Sequence, residues 1–213
     1  MTTETVLHAL RWRYATKVFD PKRKIPADVW SALEECMILS PSSFGLQPYR
    51  FLVVQDPALR EQLLPHAWNQ RQIVDASHLV VFAVRTSVTE GEIDRFLDRI
   101  VEVRGVPRES LASYRSMMTG MLLDPAFQPM AVHWAARQAY LALGNLLTAA
   151  AVLGVDACPI EGFVPAEFDR ILKLPEVGLT SVVCCALGYR DPNDKYAHLP
   201  KVRAPREQLV QYR

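Results

Sequence analysis

Hydrophobic residues recur along this chain at two spacings, one typical of helices and the other of buried strands. The helical spacing predicts helices over residues 4–13, 26–39, 58–65, 91–104, 108–121, 128–153 and 165–173. Short continuous apolar runs predict strands over residues 51–54, 78–84, 155–158 and 181–187. Since strands alternate with helices, the fold class is α/β or α+β, and there are too few strands for a barrel.

One uncharged stretch, residues 138–155, approaches the length of a membrane span. It is rich in alanine, it contains Gln138, and Arg137 and Asp156 bracket it closely. A helix buried inside a soluble protein therefore explains it better than a membrane span. After Asp191-Pro192 the chain has no period of its own, so we expect this tail to lie over its own subunit or to wrap a partner.

Composition and charge exclude several classes of function. The chain has 213 residues, 24 basic and 23 acidic, and its net charge of +1 gives no broad field for nucleic acid or an anionic membrane. Its length suits one domain, residues 1–213. Hydrophobic residues make up 50% of it, at the upper end of the usual soluble range. The first residues carry no secretory signal and the four cysteines form no CxxC pair, so we expect a cytoplasmic protein with free thiols.

Several familiar catalytic motifs are missing from the sequence. It contains no G-x-G-x-x-G, no P-loop and no G-x-S-x-G elbow, which disfavours a Rossmann dinucleotide site, a P-loop NTPase and the usual α/β-hydrolase. The five histidines show no metal-ligand spacing, so we expect no metal. Ser77 and His78 straddle the start of a predicted strand, where neighbours point to opposite faces, so we expect them not to meet as nucleophile and base.

Two cationic segments lie near opposite ends of the chain. Residues 11–17 carry three cations and two aromatic rings where a helix ends, and residues 199–205 carry Lys201 and Arg203 on one side of an extended chain. Each segment alone is compatible with a solvated, charged surface. The alternative is an anion site, in which arginine forks a phosphate and lysine supplies a point charge.

Two further segments carry small residues at positions where a backbone can approach a ligand. Residues 40–49 form a serine-rich loop that enters a strand, and residues 159–163 follow directly after another strand. Both are either ordinary turns or loops whose backbone lies against a flat ligand. Two cationic segments and two such loops, without an acid–base or nucleophile set, are typical of a protein whose cofactor supplies the chemistry.

The order of these segments resembles that of the oxygen-insensitive nitroreductase family, FMN-dependent NAD(P)H oxidoreductases. The matching pieces are RYATKVFD at 13–20, SPSSFGLQPYRF at 40–51, DASHLVVF at 75–82, DACPIEGF at 156–163 and LPKVRAP at 199–205. They span almost the whole chain in the family's order. The resemblance implies an α+β, three-layer sandwich, in which helices flank a central mixed β-sheet and an extended C-terminal arm, residues 190–213, is swapped between subunits.

The same resemblance implies a homodimer with FMN bound at the interface. Arg13, Lys201 and Arg203 are the implied phosphate-binding residues, and Lys17 and Glu161 are the implied catalytic residues. The remaining implied FMN contacts are Tyr14, Ala15, Asn69, Gln72, Pro159, Ile160 and Gly162, together with Pro41, Ser42, Ser43 and Gln47 from the other subunit. The charged segment 91–121 is expected to form a lid that tunes the choice of electron acceptor.

Three positions depart from the family's pattern. Ala15 stands where a hydroxyl residue is common, Gly45 where an asparagine is common, and Gln72 where the best-known members have a lysine. The last departure matters most, because a missing cation near the pyrimidine edge of a flavin stabilises the reduced, anionic ring less, by ~1 kcal/mol or a few.

The implied activity is a ping-pong, two-electron reduction of nitroaromatics, quinones or related flat electrophiles, with NADH or NADPH as electron donor. A flavin-binding or flavin-storage protein of the same fold, without NAD(P)H turnover, is the alternative. A structural helical protein whose cationic segments are only surface is a second one. The dimer that the resemblance implies also gives the hydrophobic half of the chain a place to be buried.

Overall fold

A computed structural model describes residues 2–213 and places four strands in one sheet, in the spatial order β1–β2–β4–β3. The strands are β1 (Tyr49–Val54), β2 (His78–Arg85), β3 (Asp156–Ile160) and β4 (Leu179–Gly188). The helices are α1 (Thr3–Trp12), α2 (Ala27–Ile38), α3 (Pro57–Leu63), α4 (Gln72–Asp75), α5 (Glu90–Arg104), α6 (Ala112–Leu122), α7 (Ala131–Val152), α8 (Pro165–Ile171) and α9 (Arg206–Leu209).

Strand β2 shows why the sheet lies in the middle of the molecule. Its residues 79–84 are all fully buried, as expected for a strand that is covered on both faces. Because side chains alternate between faces, Val80 and Phe82 belong to one hydrophobic cluster and Leu79 and Val81 to another. The first cluster includes residues of α2, α5, α6 and α7, and the second includes residues of α3, α4 and α8. The predicted three-layer α+β sandwich is thereby confirmed.

The predicted mixed sheet is wrong in one respect, since the three strand pairings within residues 2–213 are all antiparallel. Parallel pairing is confined to a single bridge between Ala15 and Ala157. Beyond Ala15, the N–H groups of Lys17 and Val18 both donate to the carboxylate of Asp194 instead of to a neighbouring strand. One chain does not show the exchange of the C-terminal arm, which stays a prediction.

The predicted helices occur close to their expected bounds, with two informative differences. The helix expected over residues 108–121 begins as a 3₁₀ turn, Arg108–Leu111, and becomes α-helical only at Ala112. The long alanine-rich helix expected over residues 128–153 likewise begins as a 3₁₀ turn, Gln128–Met130, and is α-helical only over the 22 residues of α7. Over residues 2–213, no helix combines the length and the apolar character needed to cross a membrane.

Candidate functional site

A cavity of about 560 Å³ lies between the first loop, residues 13–18, and the C-terminal segment. We call it the cationic cavity. Its lining brings together seven of the residues that the sequence predicts at a flavin site, from three separate parts of the chain. They are Arg13, Tyr14, Ala15, Lys17, Pro159, Lys201 and Arg203.

The positive charge of the cationic cavity has no internal counter-ion. Within residues 2–213, Arg13, Lys201 and Arg203 form no ion pair with a carboxylate. Burial lowers the pKa of Arg13, and the charge of Arg203 lowers it further. Burial and the charges of Arg13 and Arg203 likewise lower the pKa of Lys201. Both shifts reflect partial desolvation of Arg13 and Lys201 and repulsion between neighbouring cations.

One polar atom in this cluster is left without a partner. Nε of Arg13 is buried and has no hydrogen-bond acceptor within the described chain. A buried donor without an acceptor costs about 1–3 kcal/mol, so native proteins rarely leave one unpaired. An oxyanion with several acceptor oxygens, such as a phosphate monoester, satisfies both this donor and the three positive charges.

Asp194 shapes the first loop from the far end of the chain. Its carboxylate accepts hydrogen bonds from the N–H groups of Lys17 at 2.8 Å and Val18 at 3.1 Å, and from the hydroxyl of Tyr14 at 2.8 Å. Burial alone raises the pKa of Asp194, but these donors outweigh it and hold the pKa below the usual value. The carboxylate therefore stays ionised and fixes the loop that carries Arg13 and Lys17.

A second carboxylate, Asp156, fixes the end of α1. It lies at the start of β3, is 4% exposed, and binds Nη2 of Arg190 at 2.6 Å. The guanidinium of Arg190 lies over the rings of Trp12, at 4.2 Å, and Tyr14, at 4.6 Å. The sequence pattern pointed to neither carboxylate, since each acts through residues more than thirty positions away in the chain.

The end of β3 carries the predicted residues Ile160, Glu161 and Gly162. Oε1 of Glu161 accepts a hydrogen bond of 2.5 Å from the hydroxyl of Tyr140 on α7. A Cβ atom at Gly162 would lie 2.7 Å from the ring of Trp68, so a larger residue here would force that exposed ring to move.

Asn69 and Gln72 reach this region from the segment before β2. Asn69 has a left-handed backbone with φ of 54°, directly after Trp68 in the same region. Gln72 is buried. Burial raises the pKa of the Cys158 thiol on β3, while the charge of Lys17 and the polar side chain of Gln72 act in the opposite direction. Lys17 and Gln72 therefore both lie near this part of β3.

The loop of residues 40–48 lies elsewhere in the single chain. The N–H of Ser43 donates to Oε1 of Gln138 on α7 at 2.8 Å, and the N–H of Gln47 donates to Oγ of Ser42 at 3.0 Å. None of Pro41, Ser42, Ser43 and Gln47 lines the cationic cavity. One chain thus brings together one part of the predicted flavin contacts and leaves apart those assigned to the other subunit.

The predicted lid, residues 91–121, contains two helices, α5 and α6, which are connected by ion pairs between their side chains. Asp94 on α5 binds Arg108 and Arg115, each at 2.7 Å, and Tyr114 on α6 donates a 2.7 Å bond to the carbonyl oxygen of Phe44. The pair is thus attached to the loop of residues 40–48. Its proposed action as a lid stays a prediction.

The expectation that Ser77 and His78 do not meet is wrong, because Oγ of Ser77 lies 3.0 Å from Nδ1 of His78. Ser77 precedes β2, so the alternation of a strand does not apply to it. The pair is nevertheless engaged elsewhere: Ser77 accepts the N–H of Ile25, and the His78 ring stacks on Trp30 at 3.9 Å. The nearby carboxylate of Asp75 binds Arg71 instead of orienting the histidine.

Comparisons with known proteins agree on one family. The model of the nitroreductase family matches residues 10–189. The chain is 37% identical to YfkO of Bacillus subtilis, provisionally named an NAD(P)H nitroreductase, over 97% of this chain and 96% of that one. It is 33% identical to SH0546 of Staphylococcus haemolyticus, similarly named, over 98% and 97% of the two chains.

A solved structure shares the whole fold. It is a nitroreductase from Exiguobacterium sibiricum in complex with FMN, which superimposes with a TM-score of 0.84 at 22% identity, over 100% of this chain and 99% of that one. The chain thus has the same α+β sandwich fold as that structure. The chain belongs to the nitroreductase family, and the predicted family and enzyme class are confirmed.

Proposed function

We propose that this chain is an FMN-dependent oxidoreductase that uses NADH or NADPH to reduce flat electrophiles such as nitroaromatics and quinones. The observation that carries the proposal is the convergence of Arg13, Lys201 and Arg203 around a buried, unpartnered Nε. The names of its relatives and the FMN complex of a structural neighbour support the same cofactor and donor. When bound, FMN accepts a hydride from the donor and passes two electrons to the acceptor.

The side chains of this chain bind and orient the cofactor in the proposal. The phosphate is held by Arg13, Lys201 and Arg203, because three cations without a carboxylate partner match the charge of an oxyanion. Lys17 places a positive charge beside β3, where it offsets negative charge that develops on reduction. The buried Gln72 supplies an amide at this point instead of a second cation. Tyr14, Ala15, Asn69, Pro159 and Ile160 are the remaining contacts that we assign within one subunit.

Glu161 and Gly162 form the proposed wall of the site at the end of β3. Tyr140 fixes the side chain of Glu161, and the Nε2 amide of Gln70 donates to the carbonyl oxygen of Gly162 at 2.8 Å. With these groups engaged, the backbone of the turn is held in one orientation, and the N–H groups of Glu161 and Gly162, which bond no other described residue, remain for a ligand. Positioning and electrostatics are then the contribution of the protein to catalysis.

We further propose that two copies of this single-domain chain, residues 1–213, form a homodimer. Several large apolar side chains are exposed at the end of α2 and along α7, among them Leu39 and Leu141. Residues 199–213 are exposed throughout, with Val202 at 85%. Such an apolar surface is typical of an interface. In the dimer, Pro41, Ser42, Ser43 and Gln47 complete the partner's site, and residues 190–213 are the arm that reaches across.

The proposed location of the protein is the cytoplasm. All four cysteines are free, as in a reducing cytoplasm.

The dimer is tested by adding charge to the proposed interface. The double variant Leu39→Glu/Leu141→Glu is expected to elute as a monomer and to lose FMN, because each site lacks its partner loop. Val103→Glu on α5, where the native side chain is also largely exposed, is the matched control and should stay dimeric. Light scattering and flavin absorbance measure both properties. A double variant that stays dimeric and yellow contradicts this arrangement.

The activity is tested on the purified protein. We expect it to be yellow, to bleach with NADH or NADPH under anaerobic conditions, and to regain its colour when a quinone is added. A yellow protein that does not bleach indicates the alternative, a flavin-binding or flavin-storage protein. A colourless protein that takes up no FMN refutes the proposed function.

A further inference from the structure

A second cavity, of about 360 Å³, lies between the loop of residues 40–48 and α5 and shares no lining residue with the cationic cavity. We call it the arginine pocket. The side chains of four arginines line it, and Glu92 is the carboxylate among its lining residues. The four arginines are Arg50, Arg85, Arg95 and Arg99.

The one carboxylate of the arginine pocket is already used. Oε1 of Glu92 lies 2.6 Å from Nε of Arg85, and its Oε2 accepts the N–H of Thr89 at 3.0 Å, closing the cap of α5. Arg99 pairs outside the pocket, with Glu102 at 2.6 Å. Two of the four guanidinium groups are therefore neutralised, and two remain.

Arg50 and Arg95 carry the uncompensated charge. Within residues 2–213, neither forms an ion pair with a carboxylate. The hydrogen bond that Arg50 makes, from Nη1 at 2.8 Å, goes to the carbonyl oxygen of its neighbour Tyr49. Burial lowers the pKa of Arg50, and the charges of Arg85 and Arg95 lower it further. Positive charges held together in this way attract an anion.

We propose that the arginine pocket binds a phosphate group of a nucleotide. Guanidinium groups match the geometry of phosphate and bind it in a bidentate manner. The pocket also has an apolar side, formed by Leu46, Val88 and Phe96, on which a flat base can lie. Its volume lies within the range of small-molecule sites.

The position of the pocket indicates which nucleotide it serves, and this step rests on the proposed function. Leu46 and Gln47 line the arginine pocket, and Gln47 belongs to the loop that we place at the partner's flavin. A donor that enters the partner's site next to this loop can extend its adenylate end into the pocket. The phosphate then comes from NADH or NADPH, either as the diphosphate that both share or as the 2′-phosphate of NADPH. Free phosphate in solution is the other source.

The test uses the double variant Arg50→Gln/Arg95→Gln as the FMN-loaded dimer. Arg104→Gln is the matched control, because it removes a charge from the same helix without lining the pocket. If the donor's phosphates bind here, the double variant raises the KM of the donor about tenfold or more, since charged hydrogen bonds are lost, and changes kcat less than about twofold. A change for NADPH alone assigns the 2′-phosphate, and an equal change for both donors assigns the diphosphate.

Calorimetry with inorganic pyrophosphate tests the other source, which is a free anion bound from solution. Binding to the FMN-loaded protein that the double variant loses, while Arg104→Gln retains it, assigns a free anion to the arginine pocket even when KM is unchanged. Unchanged KM for both donors together with no pyrophosphate binding overturns the inference. Because FMN content and bleaching are measured on the same samples, this result is distinguishable from failure of the proposed function. If no FMN binds at all, the same titration of the FMN-free protein still tests the pocket.

Discussion

The hydroxyl of Tyr140 on α7 donates a hydrogen bond of 2.5 Å to Oε1 of Glu161 at the end of β3. Burial raises the pKa of Tyr140, and the bond to Glu161 raises it further, so the phenol stays protonated as the donor. This one contact connects the longest helix to the turn at which we place the flavin ring.

We expect Tyr140→Phe to slow reduction of the enzyme by NAD(P)H several-fold while leaving FMN content unchanged. The variant removes a charge-assisted hydrogen bond, worth roughly 1.5–3 kcal/mol in general and less at a partly exposed site. Stopped-flow reduction and the flavin midpoint potential measure the effect. Tyr189→Phe is the control, because the Tyr189 hydroxyl makes no hydrogen bond to other described residues. Equal reduction rates and potentials in the two variants would show that Tyr140 has no positioning role.

Lys17→Ala is expected to weaken FMN retention and to slow hydride transfer. Only the charged side chain is lost, since Lys17 binds Asp194 through its backbone N–H, so the first loop keeps its shape. Dialysis followed by flavin absorbance measures retention, and anaerobic single-turnover reduction measures the rate. Lys22→Ala, an exposed lysine just beyond the first loop, should change neither. Unchanged flavin content and rate in Lys17→Ala would remove Lys17 from the proposed catalytic residues.

Breaking the Asp156–Arg190 pair is expected to destabilise the fold strongly. Asp156 is 4% exposed, and Arg190→Met leaves its carboxylate buried without its cation, which typically costs 3–5 kcal/mol and here we expect about 3. Arg170→Met breaks an exposed pair with Glu167 and should change stability far less, because water screens exposed ion pairs. Urea unfolding of both variants gives the comparison. A loss for Arg190→Met no greater than that for Arg170→Met contradicts the structural role assigned to this pair.

The stability of the folded state is expected to fall as the pH drops from about 6.5 towards 4. Burial, followed by the charges of Arg60 and Lys24, lowers the pKa of His78 to about 4. In this range the unfolded chain takes up a proton on His78 and the folded chain does not, so protonation favours unfolding. Allowing for partial exposure, we expect a loss of roughly 2 kcal/mol from this group.

The free energy of unfolding, measured at several pH values in the wild type and in His78→Gln, isolates this contribution. The variant should be less stable at pH 7, because the stacking on Trp30 changes, yet its stability should depend less on pH. His8→Gln, which changes an exposed histidine on α1, should keep the pH dependence of the wild type. Identical slopes for the wild type and His78→Gln would contradict the lowered pKa.

The sequence predicted the elements that hydrophobic pattern alone determines. Strand β2 and helix α7 are predicted correctly because an apolar run and an alanine-rich repeat are visible in the local sequence, whatever the distant residues are. Helix α4 was missed because its four residues are too few to show a period. The sequence pattern does not predict the contact of Ser77 with His78, because Ser77 lies one residue before β2, where the alternation of a strand does not hold.

The candidate site was predictable only in part, for a different reason. The motifs placed Arg13, Lys201 and Arg203 together, and the structure gathers them around one cavity. Asp194 was not predicted, because its partners are backbone N–H groups that any residue offers. Hydrogen bonds between distant parts of the chain do not change the local pattern of hydrophobic and polar residues, so that pattern cannot predict them.

The bonds between the first loop and the C-terminal segment also set an order of events during synthesis. The N–H of Asp191 donates to the carbonyl of Val18, and the N–H of Asp20 to that of Tyr189, each at 2.9 Å. Because the ribosome makes the chain from its N-terminus, residues 13–20 wait without these partners until nearly the whole polypeptide has emerged. The cationic cavity is completed only when residues 196–203, most of which line it, have been synthesised.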